Sequence, residues 1–191
     1  MLTLYYSPGA CSFAAHIMLL EKKLQFALNK VSLLTHETEN GVSLASINPK
    51  NYVPVLVLDD GKVLTEVVVI LSYIEDANYK DLELLCFVAS ELHKGFGAFF
   101  NKKTPEEYKV IAREKLTLRL NYVESILVKN KYLMGDTFCA ADAYLFTILR
   151  WLKFVDTGLS IESWPTINNY YNLLTQRPAI QTALEVEHIP A

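Results

Sequence analysis

The chain has 191 residues, 51% of them hydrophobic and 20% charged, with a net charge of −3. That balance describes well-packed globular protein, one large domain or two small ones at about 100 to 200 residues per domain, and it gives no electrostatic basis for binding nucleic acid or a membrane surface. The longest apolar run, Leu64 to Leu71, is broken by Glu66 and is too short to span a bilayer. The first residues lack the basic start of a signal peptide and are interrupted by Pro8-Gly9, so a cytoplasmic location is expected.

In chain order, Leu2, Leu4 and Tyr6 alternate with Thr3 and Tyr5 and predict a strand, followed by a helix from Ser12 to Lys23 and a second strand from Phe26 to Leu33. After a polar loop at 35–41 and Asn48-Pro49-Lys50 comes the apolar run from Val53 to Leu58. Asp59-Asp60-Gly61-Lys62 is a hairpin signal, with Val63-Leu64 as the returning strand. A helix from Glu66 to Asp76 closes a β-α-β, β-β-α unit around a mixed sheet. From 82 onward only helices are expected, at 82–100, 105–130, 140–155 and 167–177, with stops at Gly135, Gly158 and Pro178. Thr104-Pro105-Glu106-Glu107 predicts an N-cap at Thr104 and proline at the first helical position. Two domains follow, 1–77 and 82–191.

Cys11 falls where the first strand gives way to the first helix. There, unpaired amides and the helix dipole favour a thiolate over a thiol, its own or a ligand's. A buried, inert cysteine fits the position equally well. Cys11, Cys86 and Cys139 form neither a zinc pattern nor a disulfide framework, so no metal is expected, and Ala14 stands where a dithiol motif would place its second cysteine. Val53-Pro54 reads either as an edge-strand proline or as a cis bond that turns the backbone of Val53 toward an extended peptide ligand. Glu66 reads either as an acid complementing the helix dipole or as part of a cradle for an amino-acid-like group.

Together these segments resemble the cytosolic glutathione transferases, and the bacterial beta class most closely. The resemblance rests on Tyr-Ser-Pro-Gly-Ala-Cys-Ser at 6–12, Asn-Pro-Lys at 48–50, Val-Pro at 53–54, Leu-Thr-Glu at 64–66, Glu-Leu-His-Lys-Gly-Phe at 91–96, Thr-Pro-Glu-Glu-Tyr at 104–108 and Ala-Asp-Ala-Tyr-Leu-Phe at 141–146. It implies an α/β thioredoxin-like N-terminal domain, an all-α C-terminal domain carrying the electrophile site, a homodimer, and glutathione as co-substrate held between the domains. By position it implies Cys11, His93 and Tyr6 as catalytic residues, and Val53, Pro54, Glu66, Val67 and Lys94 as glutathione contacts. A histidine on a helix face at a domain interface remains the other reading of His93.

The implied activity is conjugation of the glutathione thiol to hydrophobic electrophiles. Thiol transfer through a mixed disulfide at Cys11, or ligand binding without catalysis on the same fold, are the alternatives. The chain departs from the class at several positions. Val67 replaces a serine or glycine, Thr35 a lysine, Cys86 an asparagine, Asn51 a glycine, and Cys139 the serine or threonine of a capping box. The segment between Glu66 and His93 is also shorter than in that class. Loss of the cap at 139 predicts a cost of about 0.5–2 kcal/mol to its helix.

Overall fold

A computed structural model describes residues 1–191, which divide into two compact units: Met1–Asn78 with Pro178–Ala191, and Tyr79–Arg177. In the first unit, strands β1 (Leu2–Tyr6), β2 (Phe26–Lys30), β3 (Val55–Val57) and β4 (Val63–Thr65) form one mixed sheet in the order β2-β1-β3-β4. β1 runs parallel to β2 and antiparallel to β3, and β3 is antiparallel to β4. Leu2, Leu4 and Tyr6 are buried and alternate with half-buried Thr3 and Tyr5, as a strand with one face on a core requires. The expected hairpin is present: Leu58 N–H donates to Lys62 O at 2.8 Å across a turn whose Gly61 takes φ 82°.

Helix α1 (Ser12–Glu21) buries its residues from Ser12 to Leu19, and α2 (Val67–Glu75) buries Val67, Ile70, Leu71 and Ile74. The last helix, α8 (Pro178–Glu187), joins this unit rather than the helical one to which residues 82–191 were allotted. Pro178, expected to end a helix, begins one, because a residue without an N–H costs nothing at the first helical position. The tie is polar and buried: Glu187 Oε1 accepts from His16 Nδ1 of α1 at 2.9 Å, and neither side chain is more than 1% exposed.

The second unit is helical throughout, with α3 (Tyr79–Phe87), α4 (Gly97–Phe100), α5 (Glu106–Leu127), α6 (Ala140–Phe154) and α7 (Pro165–Thr175). The single helix expected over 82–100 is broken into α3, a π-helical stretch at Val88–His93, a 3-10 turn at Lys94–Phe96 and α4. Ser90 Oγ bonds back to the carbonyl of Cys86 at 2.9 Å, competing with the backbone ladder, and two glycines follow at 95 and 97. Thr104 does not cap α5. Its N–H is taken by Asn101 O in the preceding turn, and Pro105, with extended ψ 146°, occupies the cap.

The capping box before α6 survives the cysteine. The buried Asp142 carboxylate accepts from Cys139 N–H at 2.9 Å, Cys139 S–H at 3.1 Å, Leu133 N–H at 2.9 Å and Tyr170 O–H at 2.6 Å. Burial and then the Asp142 charge push the Cys139 thiol well above its ordinary range. It is therefore an inert donor inside a closed network.

Candidate functional site

Strand register gathers most of the proposed residues at one end of the sheet. Tyr5 of β1 lies opposite Val55 of β3, and Val55 lies opposite Thr65 of β4. Tyr6, Pro54 and Glu66 are the next residues outward on their three chains, so sequence positions 60 residues apart share one edge through pairing alone. The loop from Ser7 to Cys11 starts from the same edge and delivers Cys11 to the N-cap of α1.

Cys11 is half-buried, and its S–H donates to the carbonyl oxygen of Val53 at 3.5 Å. The Val53-Pro54 bond is cis, and Val53 is 5% exposed. The loop before it is pinned by Asn48, which is 1% exposed, gives Nδ2–H to Tyr52 O at 2.8 Å and takes Lys50 N–H at 3.1 Å. Asn51 adopts φ 58°, the left-handed backbone that asparagine tolerates in place of glycine.

Glu66 caps α2 with φ 71° and ψ 124°, a combination that costs a non-glycine residue of order 1–3 kcal/mol and persists only where surrounding structure enforces it. Its carboxylate, which points to solvent, accepts from Tyr52 O–H at 2.6 Å and pairs with Lys50 Nζ. The bond to Glu66 is the main reason the Tyr52 hydroxyl and the Lys50 ammonium both hold their protons more tightly than usual. The buried Val67 opens α2. Its side chain supplies no hydroxyl, but its amide is one of the first-turn N–H groups that precede any intrahelical acceptor.

Tyr6 reaches this edge with its ring turned inward. It is 7% exposed and packs on His16 at 6.2 Å between centroids. Burial, then the charges of Glu187 and Glu39, raise its pKa, so its hydroxyl stays protonated.

One residue that the sequence reading missed is Glu187. Its second carboxylate oxygen accepts Gly9 N–H at 2.9 Å, two residues before Cys11. No pattern marks it, because the interaction spans 178 positions and the helix had been assigned to the other domain.

In the helical unit, His93 Nδ1 lies 2.6 Å from the Tyr144 hydroxyl and its ring packs edge-on against Trp151 at 5.0 Å. Desolvation, reinforced by the adjacent Lys94 charge, lowers its pKa from 6.5 to about 4, so the ring is neutral at pH 7 and acts as a hydrogen-bonding group, not a cation. Lys94 is exposed on a groove that it shares with Glu91, Lys115 and Arg119.

Comparison with known proteins agrees with this geometry. Residues 9–77 match the family model "Glutathione S-transferase, N-terminal domain" and residues 87–178 match "Glutathione S-transferase, C-terminal domain". The chain is 41% identical to the glutathione S-transferase GstA of Escherichia coli O157:H7, over 96% of this chain and 98% of that one. A sphingomonad glutathione S-transferase, solved in complex with glutathione, superposes with TM-score 0.93 at 35% identity, covering 98% of this chain and all of that one. The beta-class glutathione S-transferase of Sphingomonas chungbukensis superposes with TM-score 0.92 at 34% identity and the same coverage. On sequence over nearly its whole length, and on the fold of both units, the chain belongs to the glutathione S-transferase family.

Proposed function

We propose that this protein conjugates the thiol of glutathione to small hydrophobic electrophiles, and that the sheet end carrying Cys11, Val53, Pro54, Glu66 and Val67 holds the glutathione. The observation that carries this reading is the contact of Cys11 with the carbonyl of Val53, on an edge that also ends in the first amides of α2. An extended tripeptide laid along this edge pairs its central backbone with Val53, puts its thiol beside Cys11, and directs its γ-glutamyl carboxylate to the α2 amides and its ammonium to Glu66. A thiolate so placed attacks the electrophile, and its negative charge is favoured by amide and side-chain N–H and O–H donors near it.

His93 enters as a neutral donor, Tyr6 as a protonated hydroxyl, and Lys94 as a cation that the family pattern assigns to glutathione. The protein acts as a cytoplasmic homodimer in this reading; no helix is long and apolar enough to cross a membrane. The test is a glutathione titration by calorimetry, followed by conjugation of 1-chloro-2,4-dinitrobenzene read at 340 nm. Saturable binding with turnover is expected, and the absence of both refutes the proposal.

A further inference from the structure

The helical unit contains a groove between the irregular segment Val88–Phe96 and helix α5, with a volume of about 260 Å³. Its floor is made of small side chains, Gly95, Ala98 and Ala112. Gly95 is required where it stands: a Cβ there would lie 2.6 Å from Leu116 Cδ2, so the glycine lets the two segments close on each other and shapes the base of the groove.

The rim is charged and unbalanced. Lys94, Lys115 and Arg119 line it against a single carboxylate, Glu91, whose Oε2 is taken by Arg119 Nε–H at 2.6 Å. Lys94 and Lys115 make no ion pair, so two positive charges face the groove uncompensated in a chain whose net charge is −3. The effect of Lys94 on the neighbouring His93, whose protonation it opposes, is a second sign of that field. Tyr108 and Ile111 give the groove an apolar wall.

We propose that this groove binds a small amphipathic anion, a carboxylate or sulfonate on a flat apolar body of about one or two rings, as a ligand additional to glutathione. The anionic group sits between Lys94 and Lys115, and the apolar body lies on Ala98 and Ala112 against Tyr108 and Ile111. By its surroundings Lys94 belongs to this groove, where the family resemblance had allotted it to glutathione. The volume is too small for a macromolecular strand, and two unpaired cations on an apolar wall select against neutral or cationic ligands.

Calorimetric titration of the full-length protein with 2-naphthalenesulfonate, in the presence of saturating S-methylglutathione, tests the assignment without requiring turnover. Saturation at one site per chain is expected, weakening as salt is added. Lys115→Gln should weaken binding about fivefold, the worth of one exposed charge pair, and Lys115→Glu should weaken it further. Ala98→Leu, which fills the floor, should abolish binding while leaving the circular dichroism spectrum unchanged. Failure to saturate by about 1 mM ligand, loss of binding when S-methylglutathione is present, or equal affinity for the parent and both Lys115 variants overturns the proposal. Glutathione conjugation by Lys115→Gln should equal that of the parent, which separates failure here from failure of the transferase assignment.

Discussion

Replacing Glu187 should reach the glutathione site through the loop that carries Cys11. The carboxylate is fully enclosed and accepts two hydrogen bonds, from His16 Nδ1 and Gly9 N–H, each 2.9 Å long. A hydrogen bond to a charged group contributes about 1.5–3 kcal/mol, and removing one partner of a buried pair typically costs about 3–5 kcal/mol because the other is left without compensation. Glu187→Ala should therefore destabilise the protein by about 3–5 kcal/mol, which at this chain length lowers Tm by roughly 10 °C. Glu187→Gln keeps an acceptor for Gly9 and a polar partner for His16, so its cost should be nearer 1 kcal/mol, about that of one neutral hydrogen bond. Urea unfolding by circular dichroism gives the stabilities, and glutathione KM at a fixed electrophile concentration reports the loop. The expected order in both is parent, Gln, Ala. An alanine variant within about 1 kcal/mol of the parent, or a glutamine variant as damaged as the alanine, would show that the carboxylate is not what holds the loop.

His93 should titrate near pH 4 in a two-dimensional NMR series, and Lys94→Gln should raise that midpoint; a midpoint of 6 or above removes the basis for treating the ring as neutral. The sign for stability follows. With a folded pKa below the unfolded value of 6.5, the contribution of His93 is fully present above pH 6.5 and is lost as pH falls toward 4, so His93→Gln should show a shallower decline in urea midpoint over that window than the parent. At Cys11, a serine hydroxyl is a stronger donor than a thiol and should compete with glutathione for the Val53 carbonyl, raising KM about two- to tenfold, whereas Cys11→Ala should leave KM near the parental value. Equal KM values for the two variants would show that this carbonyl does not hold the ligand. Glu66→Gly should raise glutathione KM about tenfold to a hundredfold by removing the ammonium partner, while stability rises by about 1 kcal/mol or more as the positive φ is relieved. A fall in stability would show that the Lys50 and Tyr52 bonds outweigh the strain.

What the sequence revealed and what it concealed divide along the range of the interactions. β1, α1, the hairpin at 59–62 and the long helices α5 and α6 follow from local signals, alternation, period and turn chemistry, and they fall within a few residues of expectation. The edge bringing Tyr6, Pro54 and Glu66 together follows from strand order and register once the strands are known. Two features were invisible because their causes are not local. The irregular path from Val88 to Phe96 reflects Ser90 bonding backward and Gly95 yielding to Leu116 on another helix, and a 3.6-residue apolar period passes through both without a mark. The role of Glu187 depends on a helix folding back across the length of the chain, and an isolated glutamate near a terminus carries no pattern at all.

The same contact has a consequence for how the site forms. The first unit contains the sheet, Cys11 and Glu66, but it is closed by residues from Pro178 onward. Until α8 docks, His16 lies in an apolar setting between Tyr6, Phe13 and Phe26 without its carboxylate, and Gly9 N–H has no acceptor. Burying those donors unpaired costs about 1–3 kcal/mol each, so the loop bearing Cys11 is the part of an isolated N-terminal segment that should remain open to water. Sequence order places the glutathione cradle first, whereas free energy completes it last, because the acceptor that fixes its loop lies on the final helix.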